Sequence, residues 1–377
     1  MIRVTTNNTL WQYQTNLNKS ANQLYSAMGK LMTERNFDSY AANPAGATRA
    51  FKIYSSLNAT NAQASNNQTL INKFSTAYSA LDGAIDKIAQ EMGDVPELGG
   101  LDDTHKSDRA SYAQILNEGA DAIVQMLNGK YSNDYIFNGT DTDNAPFEIV
   151  TDAVSGKRLL TFRGWKVDVP KNGDEYIDPK TGQPVADPDN AGQNLTNAQV
   201  YQKLQDMSKE TLWVDIGMGF QVENGQVVEN TAYNSALSGL DFLGFGLDGN
   251  NGADGDPNNI ISIMLEVADQ FESYDLETDS WGSGSRETVD RLVGKFQDAR
   301  EDVIDKWGEL SGKVTYLKSN QTRLNETFEN LDVERGSIED IDTADAIMQL
   351  VWAQTTYNAA LQVGANVIPQ SLMDYLQ

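Results

Sequence analysis

The residues best suited to chemistry are few. The chain has one histidine, His105, and no cysteine. Thiolate nucleophiles, zinc–thiolate sites, iron–sulfur clusters and disulfides cannot be built from it, and a single imidazole would have to serve every histidine role. His105 stands beside Lys106 among aspartates and reads as an exposed loop residue. One Gly-x-Gly-x-x-Gly spacing occurs, at Gly244, Gly246 and Gly249. A dinucleotide fingerprint needs a strand before it and a helix directly after it, whose amino terminus holds the pyrophosphate. Here the loop NNGADGDPNN follows, so the segment reads as a turn. Asp248, Asp254 and Asp256 in that region offer oxygens to calcium. An EF-hand register counted from Asp254, however, puts Asn259 and Leu265 where glycine and the bidentate glutamate belong. A solvated acidic loop is the plainer reading. No Gly-x-Ser-x-Gly elbow and no P-loop occur, and carboxylate pairs are too common here to mark acid–base catalysis. The expectation is a protein that is not an enzyme and holds no cofactor or metal.

What must be positioned is therefore surface, and charge maps it. The 377 residues carry 54 acidic and 28 basic side chains, a net charge of −26. That balance argues against nucleic acid and anionic membrane as partners, which need a basic footprint. No apolar run is long enough to span a bilayer, and MIRVTTNNTLWQYQ lacks the apolar core of a cleaved secretory signal. The acid is unevenly spread: residues 1–45 carry +2, residues 46–140 carry −4, residues 141–283 carry −17, residues 284–340 carry −4 and residues 341–377 carry −3. These blocks give the expected organisation. An inner helical segment stands at each end (1–45 and 341–377), flanking two halves of a helical bundle (46–140 and 284–340), with an acidic β-rich outer domain inserted at 141–283.

The ends carry a seven-residue apolar repeat. Leu10, Leu17, Leu24 and Leu31 recur at that spacing, and Ile71, Phe74, Tyr78, Leu81, Ile85, Ile88 and Met92 alternate steps of three and four. A third helical stripe holds Tyr112, Ile115, Ile123 and Met126, before a stop at Gly129. Near the other end Val289, Phe296, Val303, Leu310, Leu317, Leu324 and Leu331 occupy every seventh place. So narrow a stripe marks a coiled-coil seam, and a strict seven-residue period implies a left-handed supercoil. A helix this long with one apolar stripe needs a partner helix, and the stripe starting at Ile71 is the natural one. A last run places Ile347, Leu350, Tyr357, Leu361 and Ile368 before Pro369. Residues 10–31 and 344–368 are expected to pair with each other or with neighbouring subunits. The fold class is mainly α with an inserted β-rich domain, a long antiparallel coiled-coil bundle drawn from both termini. By periodicity alone, a long-helix bundle enzyme or a spacer protein fits as well; the symmetry of helical ends around a different middle favours an assembling subunit.

In the middle block FEIV (147–150) and RLLTFRG (158–164) read as a hairpin about Ser155–Gly156, and WKVDV (165–169) alternates apolar and polar. Residues 171–194 read as loop and 196–208 as a short helix. TLWVDIGMGFQVENGQVV gives two strands about Asn224–Gly225, and 258–276 returns to helix. The acid of this block is expected on its outside.

With these residues in place the chain resembles bacterial flagellin and its relatives among the flagellar axial proteins, most closely the hook-associated protein 3 (FlgL) family of hook–filament junction proteins. MIRVTTNNTLWQYQTNLNKSANQLYSAMGKLMTERNF is similar to that family's opening helix. KYSNDYIFNGTDTDNAPF (130–147) is similar to its motif of an aromatic, Phe-x-Gly and Pro-Phe, and TADAIMQLVWAQTTYNAALQVGANVIPQSLMDYLQ to its closing helix. Ala42-Asn43-Pro44-Ala45-Gly46 departs from the Asp-Asp-Pro or Asp-Asp-Ala stretch common there, and IDKIAQEMGDV (85–95) lacks the arginine-rich stretch of many flagellins. The resemblance implies a structural subunit exported unfolded through the flagellar secretion channel, without a cleaved signal peptide, and assembled outside the cell. Its implied partners are copies of itself in a ring, a neighbouring hook-associated protein, flagellin and an export chaperone. Leu10, Leu17, Leu24, Leu31, Ile347, Leu350, Tyr357, Leu361 and Ile368 are expected at subunit contacts. Ile71, Phe74, Tyr78, Leu81, Ile85, Ile88, Phe296, Val303, Leu310, Leu317 and Leu324 are expected in the bundle core. Filament flagellin, a surface adhesin or secretion-tip protein on a helical stalk, and a calcium-dependent enzyme are the alternatives.

Overall fold

The computed structural model describes residues 6–37, 41–88, 93–96, 106–248, 255–275, 280–281 and 285–367. The chain divides into two compact units, one of residues 63–322 and one of residues 1–62 with 323–377. Helices α2 (Pro44–Asp86) and α7 (Arg286–Glu339) contribute to both.

In the unit 63–322 the stripes on α2 and α7 meet. Ile71, Phe74, Ala77, Leu81 and Ala84, with Ile88 just beyond the helix, are buried on one side, and Val289, Phe296, Val303, Leu310 and Leu317 on the other; Tyr78 and Ile85 are half-buried. The helices run antiparallel, since Asn67 reaches Leu317 and Asn320 while Tyr78 stacks on Trp307 at 5.0 Å. Asn67 lies inside this seam, fully buried. Its Nδ2 donates to the Leu317 carbonyl (2.9 Å) and to Gln321 Oε1 (2.8 Å), and its Oδ1 accepts from Asn320 Nδ2 (3.0 Å). Asn320 Nδ2 also donates to the Ile216 carbonyl at 2.9 Å, which ties the middle block to the seam.

Helix α3 (Lys106–Leu127) packs on α6 (Ile260–Glu272). The buried stripe of α3 is Ala113, Leu116, Ala120, Ile123, Val124 and Leu127. Ile115, expected on that stripe, points outward because Leu116 takes the inward place, while Tyr112 and Met126 sit at the edge. Helix α6 is apolar and buried along most of its surface from Ile260 to Phe271, and a narrow acidic edge of Glu266 and Asp269 meets Lys157. Asn259 caps it, accepting from the Ile261 and Ser262 amides.

Strands β3 (Phe147–Thr151), β4 (Arg158–Phe162) and β5 (Trp165–Lys166) form an antiparallel sheet in which Phe147 opposes Phe162 and Thr151 opposes Arg158. Preceding it, β1 (Lys130–Tyr131) and β2 (Asp134–Tyr135) make a small ladder. Helix α4 (Asn197–Ser208) starts at Thr196 with a capping box closed by Gln199, and α5 (Gly239–Leu243) is one short turn. The hairpin at Asn224–Gly225 forms between β7 (Val222–Glu223) and β8 (Gln226–Val227), with φ of 52° and 80° at the turn. The expected long strand before it does not form. Gly217 and Gly219 adopt φ of 83° and 80° and break it, so β6 (Trp213–Val214) pairs instead with β9 (Tyr233–Asn234). One apolar core runs through this unit, joining α2, α3 and α7 to β3, β4, α4 and α6. Most of the acid of the middle block lies outside it, but Asp168, Asp187 and Asp256 are buried.

The Phe137-Asn138-Gly139-Thr140 segment is held by a charged clamp. Arg163 donates from Nη1 and Nη2 to the two Glu210 oxygens (2.7 and 2.8 Å) and from Nε to Asn138 Oδ1 (2.7 Å). Glu210 Oε2 also accepts from the Thr140 amide and hydroxyl. Burial alone would raise the Glu210 carboxyl, but the Arg163 and Thr140 contacts outweigh it and hold its pKa below the ordinary value. Gly139 sits at φ 62°, and a Cβ there would run into the Glu210 carboxylate. Packing thus dictates the glycine.

The second unit contains α1 (Thr6–Thr33), α8 (Thr343–Val367) and the near ends of α2 and α7, where Ala50, Ile53, Leu57 and Leu324 are buried. Asn43 caps α2, its Oδ1 accepting from the Gly46 amide at 3.0 Å, with Pro44 at the first helical position. Breaks between helices come together here. Arg35 pairs with Asp340 in an isolated bridge, the Asn36 amide donates to the Glu339 carbonyl (2.6 Å), and Tyr54 Oη donates to Glu339 Oε2 (2.7 Å).

Candidate interaction surface of the terminal helices

The surface is built by two helices almost without charge. In 28 residues α1 carries only Lys19 and Lys30 as charged side chains, and in 25 residues α8 carries only Asp345. They pack closely on each other. The α1 face is Leu10, Tyr13, Leu17, Ser20, Leu24, Ala27 and Leu31, and the α8 face is Ala346, Leu350, Ala353, Tyr357, Ala360 and Gly364. Small residues at alternate places on α8 let the backbones approach. Tyr13 Oη donates to the Ala360 carbonyl at 3.1 Å, and a Cβ at Gly364 would overlap that hydroxyl.

Of the expected subunit-contact residues, Leu10, Leu17, Leu24, Leu31, Leu350 and Tyr357 lie half-buried along this pairing within the chain. Ile347 and Leu361 are exposed. Ile368 lies outside the described residues. All the expected bundle-core positions are buried or half-buried in their own units. Once the pairing is made, a different apolar set remains open: Trp11 (65% exposed), Tyr25, Met28 and Met32 (81%) on α1, and Ile347, Met348, Val351, Trp352 (76%), Leu361 and Val363 on α8. The signal for it was present. Trp11, Tyr25 and Met32 each follow a seam leucine by one residue, so they repeat at multiples of seven on the neighbouring face. Beside Trp352, Met348 and Ala353 of α8 and Gln23, Ala27 and Lys30 of α1 line a groove of about 600 Å³. Exposed apolar surface of this kind marks an interaction site. Among the described residues no helix is long and apolar enough to cross a membrane.

The candidate chemical sites resolve differently. Gly244, at φ 78°, closes α5, so a helix precedes the glycine spacing, and Gly246 backs onto the Tyr201 ring. Asp256 accepts a two-point contact from Arg291 (2.6 and 2.9 Å), and Asp248 pairs with Lys295, whose contact lowers the Asp248 pKa. These carboxylates are neutralised by side chains of α7. Among the described residues no three His, Cys, Asp or Glu side chains are grouped to share a metal. His105, Gly249 and Asp254 lie outside the described residues.

Two family models match the chain: the bacterial flagellin N-terminal helical region over residues 4–142 and the bacterial flagellin C-terminal helical region over residues 297–376. No curated protein sequence matches it. Among solved structures, a chain assigned as a flagellar hook-associated protein from Vibrio parahaemolyticus is similar with a TM-score of 0.50 at 15% identity, covering 79% of this chain and 100% of that one. FlgL of Xanthomonas campestris has a TM-score of 0.45 at 15% identity, over 75% of this chain and 99% of that one. FlgL of Bacillus cereus has 0.40 at 12%, over 76% and 99%.

Proposed function

This chain belongs to the bacterial flagellin family, whose two terminal helical regions together match more than half of it, and on that footing we propose that it is a flagellar structural subunit at the junction of hook and filament. The observation that carries the reading is α8, paired to α1 on one side while Trp352, Met348 and Val351 stay open to solvent on another. In the assembled state these side chains pack against copies of the same chain in a ring, with a neighbouring hook-associated protein and flagellin as the other axial contacts and an export chaperone before assembly. The subunit travels unfolded through the flagellar export channel and assembles outside the cell. Its terminal helices are short of partners in the monomer and become fully ordered as neighbours bury them. At roughly 25 cal/mol per Å² of apolar area, such burial offsets the entropy of ordering.

The segment 130–147 and the absence of an arginine-rich stretch near residues 85–95 favour a junction subunit. Filament flagellin is the second reading, because both family matches are to flagellin regions. Deleting the gene separates them. Electron microscopy should show hooks retained without attached filaments, with flagellin shed into the medium and attachment restored by this chain. Intact filaments on the deletion strain would remove the junction reading.

A further inference from the structure

The polar face of the WKVDV segment holds an anomaly. Val167 and Val169 are buried in the core, so Lys166 and Asp168 should share a solvent-facing side. Instead α6, α7 and residues 255–257 cover that side, leaving a cavity of about 300 Å³ onto which Asp168 and Lys166 both open. Among the described residues neither the buried Asp168 Oδ1 atom nor the buried Ser262 hydroxyl makes a well-formed hydrogen bond, although the two lie close to each other. Burial pushes the Asp168 carboxyl up to about 6, with the Glu266 carboxylate adding to it; the Ser262 hydroxyl, close enough to donate, and the Lys166 ammonium act the other way.

The remaining charges around the cavity are committed. Arg158 holds Asp121 at 2.5 Å, Arg291 holds Asp256, and Glu266 meets Lys157 at 3.3 Å. Among the described residues that leaves the Asp168 carboxyl, with the Ser262 hydroxyl beside it but no charged group in hydrogen-bond contact, and the Lys166 ammonium, which acts on Asp168 and Asp152 at longer range. A buried carboxylate without a partner is costly, and a cationic donor is the strongest partner it can find. A lone amine would meet repulsion from Lys166. A ligand that also brings an anion satisfies both groups. The other walls are Leu160, Leu265 and Leu292, which suit an aliphatic body better than hydroxyls.

We propose that this cavity binds a small zwitterionic amino compound of the aliphatic amino-acid class, its ammonium on Asp168 and Ser262 and its carboxylate on Lys166. The site is independent of the terminal helices and of the junction reading. Isothermal titration and thermal shift on the full chain test it, with alanine, valine and leucine as probes and glycerol, sorbitol, methylamine and acetate as controls. At least one of the amino acids should bind saturably at about 10 mM and raise Tm by about 2 °C or more, while polyols and the two half-ligands do not. Asp168→Asn should weaken that binding roughly tenfold or more. Thr288→Trp, which fills the wall without touching Asp168, should abolish it while leaving the circular dichroism unchanged. Binding should also weaken as pH falls from about 7 to about 5 and Asp168 takes up a proton. The paired Arg158 of β4, Glu266 of α6, Asp256 of the 255–257 segment and Arg291 of α7 surround it, along with Lys166. No saturable binding by any of the three amino acids overturns the proposal, as does polyol binding of equal strength. If Asp168→Asn fails to fold, Lys166→Met decides: unchanged affinity in that variant contradicts the assigned pose.

Discussion

Replacing Asn67 tests how the two long helices choose their register. Asn67 is fully buried and makes three hydrogen bonds, to the Leu317 carbonyl, Gln321 and Asn320, at 2.8–3.0 Å. Each is worth about 1 kcal/mol net, so Asn67→Ala should cost roughly 3 kcal/mol. For a unit of this size that corresponds to a fall in Tm of about 6–12 °C. Asn67→Leu keeps the volume and should cost less, but it removes the polar layer that penalises other registers of an otherwise apolar seam. Asn320 also donates to the Ile216 carbonyl, so Asn320→Ala should loosen the segment around residues 211–219. The assay is urea unfolding of the full chain followed by tryptophan fluorescence and circular dichroism, run as a double-mutant cycle. A coupling of about 1 kcal/mol or more between Asn67→Ala and Asn320→Ala is expected. A single-variant cost below about 0.5 kcal/mol, with additive effects, would refute the reasoning.

Four further outcomes follow from named contacts. Trp352→Ala removes an exposed side chain, so the monomer's Tm should move by about 1 °C or less while complementation of filament attachment fails; retained attachment counts against the surface assignment. Gly364→Val places a branched side chain where Tyr13 lies, and should speed hydrogen exchange in residues 10–31 and 344–364. Asp168 has a native pKa of about 6 against an unfolded value near 3.9. The folded state therefore keeps its proton longer, and the Asp168 contribution to stability falls as pH rises from about 4 to about 6, by on the order of 2–3 kcal/mol. Asp168→Asn should flatten that part of the stability–pH curve, and an unchanged slope would contradict it. Glu210→Gln breaks the clamp with Arg163 and should cost about 2–4 kcal/mol, read by urea unfolding.

The seven-residue stripes made the long helices legible, because a repeat sustained from Val289 to Leu317 has few other solutions. The Asn224–Gly225 turn and the 147–162 hairpin were legible for the same reason: local geometry needs those residue types. What the sequence withheld depends on tertiary covering. WKVDV has the alternation of a half-exposed strand, and nothing in those five residues says that α6 and α7 will roof Asp168. Gly217 and Gly219 interrupt a stretch whose other residues favour strand. In the terminal helices the leucine repeat was the strongest signal and drew attention to the seam with α8. The open face one residue further round, with Trp11, Tyr25 and Met32, emerges only once that seam is occupied.

Position along the assembled flagellum separates the junction assignment from every alternative. An epitope inserted at the exposed Asn224–Gly225 turn, which leaves the core and both terminal helices intact, can be labelled with gold on purified flagella. The account predicts label confined to one short zone where hook meets filament. Label distributed along the filament, or absent from flagella altogether, would contradict it.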